Sequence, residues 1–219
     1  MADMNDRLQG LASRVRTPDV VDAVGRMHRH RCHINDLVSP TPGRVLLGPA
    51  VTVSYLPSCE ETLPPKQFNF FRLFNDAIGD GAQGRVLVLA SNGHTDVSLG
   101  GGTKLSQVAA RGLAGILADG RLRDFIEIAR YDFAVYCWGQ TTKWGGDVVT
   151  PFEVNRPVVV AGVTVRPGDY VFADTPGAAV IPAAQVLSVF EEASRVAQDE
   201  AAFVERVRHE NPADYRSEQ

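Results

Sequence analysis

Three short apolar runs, separated by glycine loops and helix-forming segments, constrain the fold of this chain more than any other feature. The runs cover residues 86–90, 114–118 and 133–138, and each has the length of a buried strand. Helical patterns at residues 103–111 and 125–130 lie between them, and glycines mark the transitions. The order strand, glycine loop, helix, strand predicts a mixed α/β protein.

The flanking sequence predicts further helices and strands. Thr17 and Pro18 predict the start of a short helix that ends at Gly25. The β-rich residues 44–53 contain Gly48-Pro49, which predicts strands with a bend or bulge rather than one straight strand. The remaining predictions are a proline-rich loop at 57–67, a helix at 68–77, strands at 158–165, 170–174 and 178–181, and an amphipathic helix at about 183–210.

Length and charge bound the organisation of the chain and its partners. A chain of 219 residues without linker-like composition favours one α+β domain over residues 1–219 that ends in the helix at about 183–210. Its 22 Lys+Arg and 26 Asp+Glu residues give a net charge of −4, which disfavours nucleic acid and membrane surfaces as partners. The N-terminus has early acids and no apolar secretory core, so we expect a cytoplasmic protein.

The cysteines and histidines offer only weak signals for a metal site. Cys32, Cys59 and Cys137 are too widely spaced for a metal or redox pair, so we expect reduced thiols. Three histidines cluster at residues 28–33, but two arginines interleave with them and would repel a cation. The pattern therefore disfavours zinc there.

A glycine run at residues 99–104 is the strongest local feature. Gly100, Gly101 and Gly102 precede a predicted helix that begins near Thr103 and Lys104. Free backbone amides and the helix N-terminus favour a carboxylate or phosphate at such a place. The run matches neither the Walker nor the dinucleotide-binding pattern, and a plain tight turn is an equally good interpretation of the glycines alone.

A second candidate is the segment at residues 119–124, which follows a predicted strand. Ligands gather at the carboxyl ends of strands in open α/β folds. Arg123 has paired donors for a carboxylate or enolate oxygen, and Asp124 can bind a hard cation such as Mg²⁺. Asp124 and Glu127 also resemble a capping box, so helix capping is an alternative explanation of this aspartate.

These segments together resemble the RraA-like family, which includes 4-hydroxy-4-methyl-2-oxoglutarate aldolases, oxaloacetate decarboxylases and regulators of ribonuclease activity. The resemblance covers about residues 15–195 and rests on the order and spacing of residues 48–53, 84–88, the glycine loop, 115–124 and 162–174. It implies a swivelling β/β/α fold, a phosphohistidine-domain-like αββα sandwich. It also implies a homotrimer or a dimer of trimers with sites between subunits.

The resemblance further implies a set of site residues. The loop that matches Gly101, Gly102, Thr103 and Lys104 presents backbone amides to a 2-oxo acid in the aldolase members. The arginine that matches Arg123 contacts substrate oxygens, and the aspartate that matches Asp124 binds a divalent metal, Mg²⁺ or Mn²⁺. Glu200 resembles a glutamate that these members bring from a neighbouring subunit, although a solvated glutamate on a helix face is the preferred interpretation.

The implied function is a metal-dependent class II aldolase that cleaves a 4-hydroxy-2-oxo acid to pyruvate. The same site would decarboxylate oxaloacetate, because both reactions form the pyruvate enolate. The alternative is a non-catalytic regulator that binds a ribonuclease or helicase partner. Two departures from the family pattern concern the substrate: the 57–67 loop is longer than usual, and Lys104 stands where an apolar residue is common.

Overall fold

The computed structural model describes residues 2–27 and 31–210, and the chain divides into two compact units. One unit contains the N-terminal helices and the C-terminal helix, within Met1–Arg29 and Leu187–Gln219, and the other is His30–Val186. The prediction of a single domain stays a prediction. The helices and strands are α1 (Ala2–Ala12), α2 (Thr17–Met27), β1 (His33–Ile34), β2 (Leu46–Pro57), α3 (Phe70–Ile78), β3 (Val86–Ala90), β4 (Ser98–Gly100), α4 (Gly102–Ala110), β5 (Gly115–Ala118), β6 (Arg121–Leu122), α5 (Phe125–Ile128), β7 (Ala134–Tyr136), β8 (Val149–Val154), β9 (Val158–Val160), β10 (Val163–Val165), β11 (Tyr170–Asp174), β12 (Gly177–Ile181) and α6 (Val186–His209).

The helical unit consists of α1, α2 and α6. Helix α2 begins at Thr17 as predicted but continues past Gly25 to Met27, and it buries Val20, Ala23 and Val24. Two ion pairs connect the helices of this unit: Arg7 pairs with Glu191, and Arg26 with Glu192.

The larger unit is built on one mixed sheet with the strand order β1-β12-β11-β2-β3-β5-β7, and β8 also pairs with β2. Strands β2, β3, β5 and β7 run parallel to one another, whereas β11 and β8 are antiparallel to β2. The apolar runs at 86–90 and 115–118 become the central strands β3 and β5. Because both faces of these strands are covered, they have no polar alternation.

Two apolar cores cover the two faces of the sheet. Leu87 and Leu89 of β3 pack on one face with residues of α3, α4 and α5. Val86, Val88 and Ala90 point to the other face and pack with the β9–β10 hairpin and with β11 and β12. The α/β fold class is therefore confirmed in its layers, with helices on one side of the sheet and a β-hairpin on the other.

Two predictions for the first half of this unit are wrong in detail. Residues 46–57 form one continuous strand through Gly48-Pro49, because β11 pairs with residues 46–49 and β3 with residues 50–54. A bulge-like register shift lies further along the strand, between Ser54 and Tyr55 in the pairing with β8. Helix α3 begins at Phe70, where Asn69 accepts a hydrogen bond from the Arg72 amide. It therefore buries Phe70 and Phe74, while Phe71 is exposed.

Candidate active site

The glycine loop and the Arg123-Asp124 segment meet at a single open cavity of about 170 Å³. Five of the residues predicted for the site line it, namely Gly101, Thr103, Lys104, Arg123 and Asp124. Ser98, Gly100 and Trp144 complete the lining. The remaining predicted loop residue, Gly102, is buried and is not part of the lining, and its amide binds Asp124.

The two loops are held together by backbone pairing. Strands β4 and β6 run parallel and lead directly into the glycine loop and into Arg123. The Arg123 amide donates to the Gly100 carbonyl at 2.9 Å, and the Gly102 amide donates to Asp124 Oδ2 at 3.1 Å. Tyr131 Oη donates to the Gly102 carbonyl at 3.1 Å. These three bonds fix the amide-bearing loop against the side chains that face it.

Gly101 is required because the Arg123-Asp124 segment approaches it closely. A Cβ atom at this position would lie 2.5 Å from Asp124 Oδ2 and 3.2 Å from the Arg123 Cβ. Both distances are shorter than ordinary van der Waals contact, so any side chain here would displace the carboxylate. The glycine is therefore explained by the neighbouring loop, and the plain tight-turn interpretation is insufficient.

The backbone of Asp124 is in the left-handed region, with φ 61° and ψ 44°. A non-glycine residue in this region is strained by about 1 kcal/mol, and aspartate is among the residues that tolerate it best. Asp124 precedes α5, but its side chain makes no capping hydrogen bond to that helix. The capping alternative therefore does not account for this aspartate. Its exposed carboxylate faces the cavity and the Gly102 amide instead.

The cavity is positively polarised on the side of α4. The first amides of a helix have no carbonyl partner within the helix, and Gly101, which caps α4, offers no side chain to replace one. The Gly102 amide donates to the Asp124 carboxylate. The amides of Thr103 and Lys104, which follow it in the first turn of α4, are the ones that a ligand would use. With the guanidinium of Arg123 opposite, this arrangement favours a bound carboxylate.

Lys104 adds a second cation to the cavity. Its Nζ lies 5.7 Å from the centre of the Phe70 ring, a cation–π contact at the edge of the site. Burial lowers the pKa of the Lys104 ammonium, and the charge of Arg123 lowers it further. The sequence predicted that Lys104 contributes only its backbone amide. The structure shows that its side chain is also part of the site.

Asp119 belongs to the predicted segment but not to the site. Its carboxylate is buried and accepts the Ser91 amide at 2.6 Å and the Ala161 amide at 3.4 Å. Burial raises the pKa of Asp119. These bonds join the end of β5 to the end of β3 and to the β9–β10 turn, so the residue is structural.

The metal-binding capacity of the described residues is small. Within residues 2–27 and 31–210, no group of three His, Cys, Asp or Glu side chains is close enough to form a metal site. Mg²⁺ requires no such group, since it is commonly bound by one or two carboxylates together with waters and substrate oxygens. The exposed carboxylate of Asp124, with one oxygen on an amide, fits this kind of site. His28 and His30 lie outside the described residues.

Two further predictions can be located. Glu200 is exposed on α6, in the helical unit, and its catalytic role stays a prediction. The three cysteines are free, as expected. Burial raises the pKa of Cys137 to about 11, which makes its thiol unreactive.

Sequence reasoning missed Ser98 and Trp144 in the lining, and Tyr131 behind the loop. Strand β4 has only three residues, too few for a recognisable pattern, and Trp144 lies in an irregular segment. The sequence signal that could have found Trp144 is a tryptophan directly before Gly145-Gly146, and the structure leaves its side chain 59% exposed.

Comparison with known proteins gives relatives that cover part of the chain. A protein of Halalkalibacterium halodurans named "Putative 4-hydroxy-4-methyl-2-oxoglutarate aldolase" is 29% identical over 126 residues, 58% of this chain and 60% of the relative. One of the same name from Ectopseudomonas mendocina is 38% identical over 114 residues, 50% of this chain and 65% of the relative. The chain thus matches less than two thirds of the length of these relatives.

A solved structure extends the likeness to nearly the whole chain. Streptomyces coelicolor RraAS2, described as an unusual member of the RNase ES inhibitor RraA protein family, superposes with a TM-score of 0.79 at 24% identity. The match covers 92% of this chain and 98% of that one, and at this identity it shows the fold alone. Among the described residues, no helix is long and apolar enough to cross a membrane. The family model described as Aldolase/RraA matches residues 17–180, most of the sequence, and the chain therefore belongs to the RraA-like family.

Proposed function

We propose that this chain is a divalent-metal-dependent class II aldolase. It cleaves a 4-hydroxy-2-oxo acid, such as 4-hydroxy-4-methyl-2-oxoglutarate, to pyruvate and a second carbonyl compound. The observation that carries the proposal is the convergence of Arg123, the carboxylate of Asp124 and the first-turn amides of α4 on one cavity. The names of the curated relatives support a lyase.

The reaction places one requirement on the site, which is a sink for negative charge. The C4 hydroxyl loses its proton, the C3–C4 bond breaks, and its electron pair moves to the 2-oxo group to give the pyruvate enolate. Protonation at C3 then gives pyruvate. The backbone of Arg123 is held by the hydrogen bond that its amide donates to the Gly100 carbonyl. The guanidinium of Arg123 is always charged, so it can donate to the enolate oxygen. Loss of one such donor costs about 3 kcal/mol of transition-state stabilisation.

Asp124 would hold Mg²⁺ or Mn²⁺. When bound, the ion supplies a Lewis acid for the carboxylate and keto oxygens of the substrate. The chain's own contribution is to hold the carboxylate in place: the left-handed backbone and the Gly102 amide aim it at the cavity. The amides of the α4 first turn would receive the substrate carboxylate.

Oxaloacetate decarboxylation follows from the same arrangement. Loss of CO₂ from oxaloacetate leaves its electron pair on the 2-oxo group, which again gives the pyruvate enolate. Arg123 would therefore stabilise the same charge in both reactions.

We also propose that the chain assembles as a trimer or a dimer of trimers, as the family resemblance implies. Phe203, Val204 and Val207 are each about half exposed on the last turns of α6, which supports contact with another chain. Glu200 lies on the same part of α6. If it supplies the proton-transfer carboxylate to a neighbouring site, mixed oligomers of Glu200→Gln and Asp124→Ala chains will regain activity that neither variant has alone.

A pyruvate-release assay tests the proposed activity. The purified chain is assayed with a panel of 4-hydroxy-2-oxo acids and oxaloacetate, with Mg²⁺, with Mn²⁺ and with EDTA. We expect pyruvate from at least one compound, abolished by EDTA and restored by the metal. Full activity in EDTA contradicts the metal-dependent mechanism. No release across the panel favours the regulator, whose test is co-purification with a ribonuclease or helicase.

A further inference from the structure

The side chain of Lys104 is half-buried and lines the candidate cavity. Among the ion pairs of the described residues, none involves Lys104. Its neighbours are the face of the Phe70 ring and the guanidinium of Arg123, a charge of the same sign. A partly desolvated cation beside a second cation is unfavourable unless an anion lies against it. The arrangement is therefore typical of an anion-binding site.

The charges of the lining can be counted. Lys104 and Arg123 contribute two positive charges, and Asp124 is the one carboxylate among the lining residues of the candidate cavity. A divalent cation on Asp124 would make the net charge of the cavity more positive. A substrate with a single carboxylate would use Arg123 and the loop amides and leave Lys104 without a counter-charge.

The space around Lys104 is large enough for a longer ligand. A second groove of about 320 Å³ adjoins the cavity and shares Ser98, Lys104 and Trp144 with it. Its other walls are formed by the aromatic residues at the start of α3, by residues of β8 and by Glu60. The carboxylate of Glu60 is exposed, and among the ion pairs of the described residues none joins it to Lys104. Lys104 thus stands at the junction of the two spaces, several atoms away from the loop amides.

We propose that the side chain of Lys104 is a specificity-determining residue of this site, because it binds the second carboxylate of a dicarboxylic 2-oxo acid. The proposal rests on the proposed function in one respect, the binding of the 2-oxo acid end by the loop and Arg123. The ammonium of Lys104 binds the carboxylate at the end of the ligand opposite the 2-oxo group. The Phe70 ring holds the lysine stem at the edge of the cavity, so that Nζ is available to the ligand.

Two 2-oxo acids of equal chain length isolate the contribution of the second carboxylate. The test measures binding of 2-oxoglutarate and of 2-oxopentanoate to the full chain by titration calorimetry, with Mg²⁺ present throughout. We expect the wild-type chain to bind 2-oxoglutarate at least about tenfold more tightly, equivalent to about 1.4 kcal/mol. Equal binding of the two acids, or no binding of 2-oxoglutarate, overturns the proposal.

Lys104→Met is the decisive variant because it keeps the apolar stem on Phe70 and removes only the charge. We expect it to bind 2-oxopentanoate as the wild type does and to lose the preference for 2-oxoglutarate. Lys104→Arg should retain part of the preference. The matched control is Lys66→Met, the same change at an exposed lysine that lines neither space. A preference that survives in Lys104→Met, or that is lost to the same extent in Lys66→Met, would falsify the assignment to Lys104.

The outcome is separable from that of the proposed function. A Lys104-dependent preference without pyruvate release supports this binding role and contradicts the lyase. Pyruvate release with equal affinity for both acids supports the lyase and overturns the role of Lys104. Thermal unfolding of each variant confirms that it is folded before binding is measured.

Discussion

Asp119 and Asp124 lie in one short segment, yet they have opposite environments. Asp119 is 6% exposed and binds two backbone amides, one at the end of β3 and one in the β9–β10 turn. Asp124 is exposed, binds one amide and has a left-handed backbone. The buried carboxylate joins three segments of the fold, and the exposed one is positioned for a ligand. Similar sequence context therefore does not imply a similar role.

The largest expected effect comes from removing the exposed carboxylate. Asp124→Asn keeps an acceptor for the Gly102 amide and a side chain that tolerates the left-handed backbone, but it loses the charge that would hold the metal. We expect metal-dependent pyruvate release to fall by about a thousandfold, since a Lewis acid contributes several kcal/mol. Steady-state assays with Mg²⁺ and after EDTA treatment measure the effect.

Two controls keep that result specific. The unfolding midpoint of Asp124→Asn should match that of the wild type, because an exposed carboxylate contributes little to stability. Asp80→Ala, at an exposed turn outside the site, should retain full activity. If Asp124→Asn keeps its activity, or loses it only by unfolding, the distinction between the two aspartates fails.

The opposite pattern is expected for the buried carboxylate. Asp119→Ala leaves the Ser91 and Ala161 amides without their acceptor in a buried place. An unsatisfied buried donor costs about 1–3 kcal/mol, so we expect the free energy of unfolding to fall by about 3 kcal/mol. Urea unfolding followed by fluorescence measures this. A stability unchanged within error would show that solvent or a rearrangement replaces these bonds.

The two aspartates also show how much of the molecule the sequence could predict. Strands β3 and β5 were predicted because each is a short, continuous apolar run. Residues 101–104 and 123–124 were candidates from their glycines and paired charges, and their roles came from the family resemblance. The sequence could not separate Asp119 from Asp124 by burial, since both lie in the one short segment that follows the apolar run at 114–118. That distinction depends on the Ala161 amide, which is distant in sequence.

The failures have a common physical cause. Strands β4 and β6 have three and two residues and are defined by pairing with each other rather than by any pattern of their own. The bend expected at Gly48-Pro49 is absent because pairing with neighbouring strands holds the backbone extended. Trp144 is distant in sequence from the other lining residues, and its bridge to Ser98 brings it to the cavity. Long-range contacts decide all three features, and a single sequence does not encode them locally.

Substitutions in the glycine loop test whether the position of the exposed Asp124 carboxylate matters for activity. In Gly101→Ala the new Cβ would lie 2.5 Å from Asp124 Oδ2, on a short side chain that is fixed by the Gly102 amide. In Gly102→Ala it would lie 2.2, 2.3 and 2.8 Å from Oε2, Cδ and Cγ of Glu127, an exposed side chain that would have to rotate away along its whole length. We expect Gly101→Ala to lose about a hundredfold in kcat/KM, as displacement of a catalytic group by about 1 Å can do.

Gly102→Ala serves as the matched substitution. Glu127 can turn away into solvent, so we expect kcat/KM close to that of the wild type and unfolding midpoints of both variants within a few degrees of it. Equal losses in the two variants would indicate that the loop backbone itself has moved. In that case the carboxylate of Asp124 is not the group that Gly101 protects.

The smallest effect concerns the pH dependence of stability and belongs to Asp119. Burial raises the pKa of this carboxyl above its ordinary value of 3.8, so the folded protein binds its proton more tightly than the unfolded chain does. The stabilisation from this proton is complete below pH 3.8 and is lost as the pH rises through the raised pKa. Asp119→Asn has no proton to lose at this position. Urea unfolding of both proteins between pH 4 and pH 7 should therefore show the stability of the variant rising relative to the wild type with pH. A difference that is constant over this range would mean that the two amides balance the effect of burial on the pKa, and a change in the opposite direction would mean that the amides outweigh it; either result contradicts the prediction.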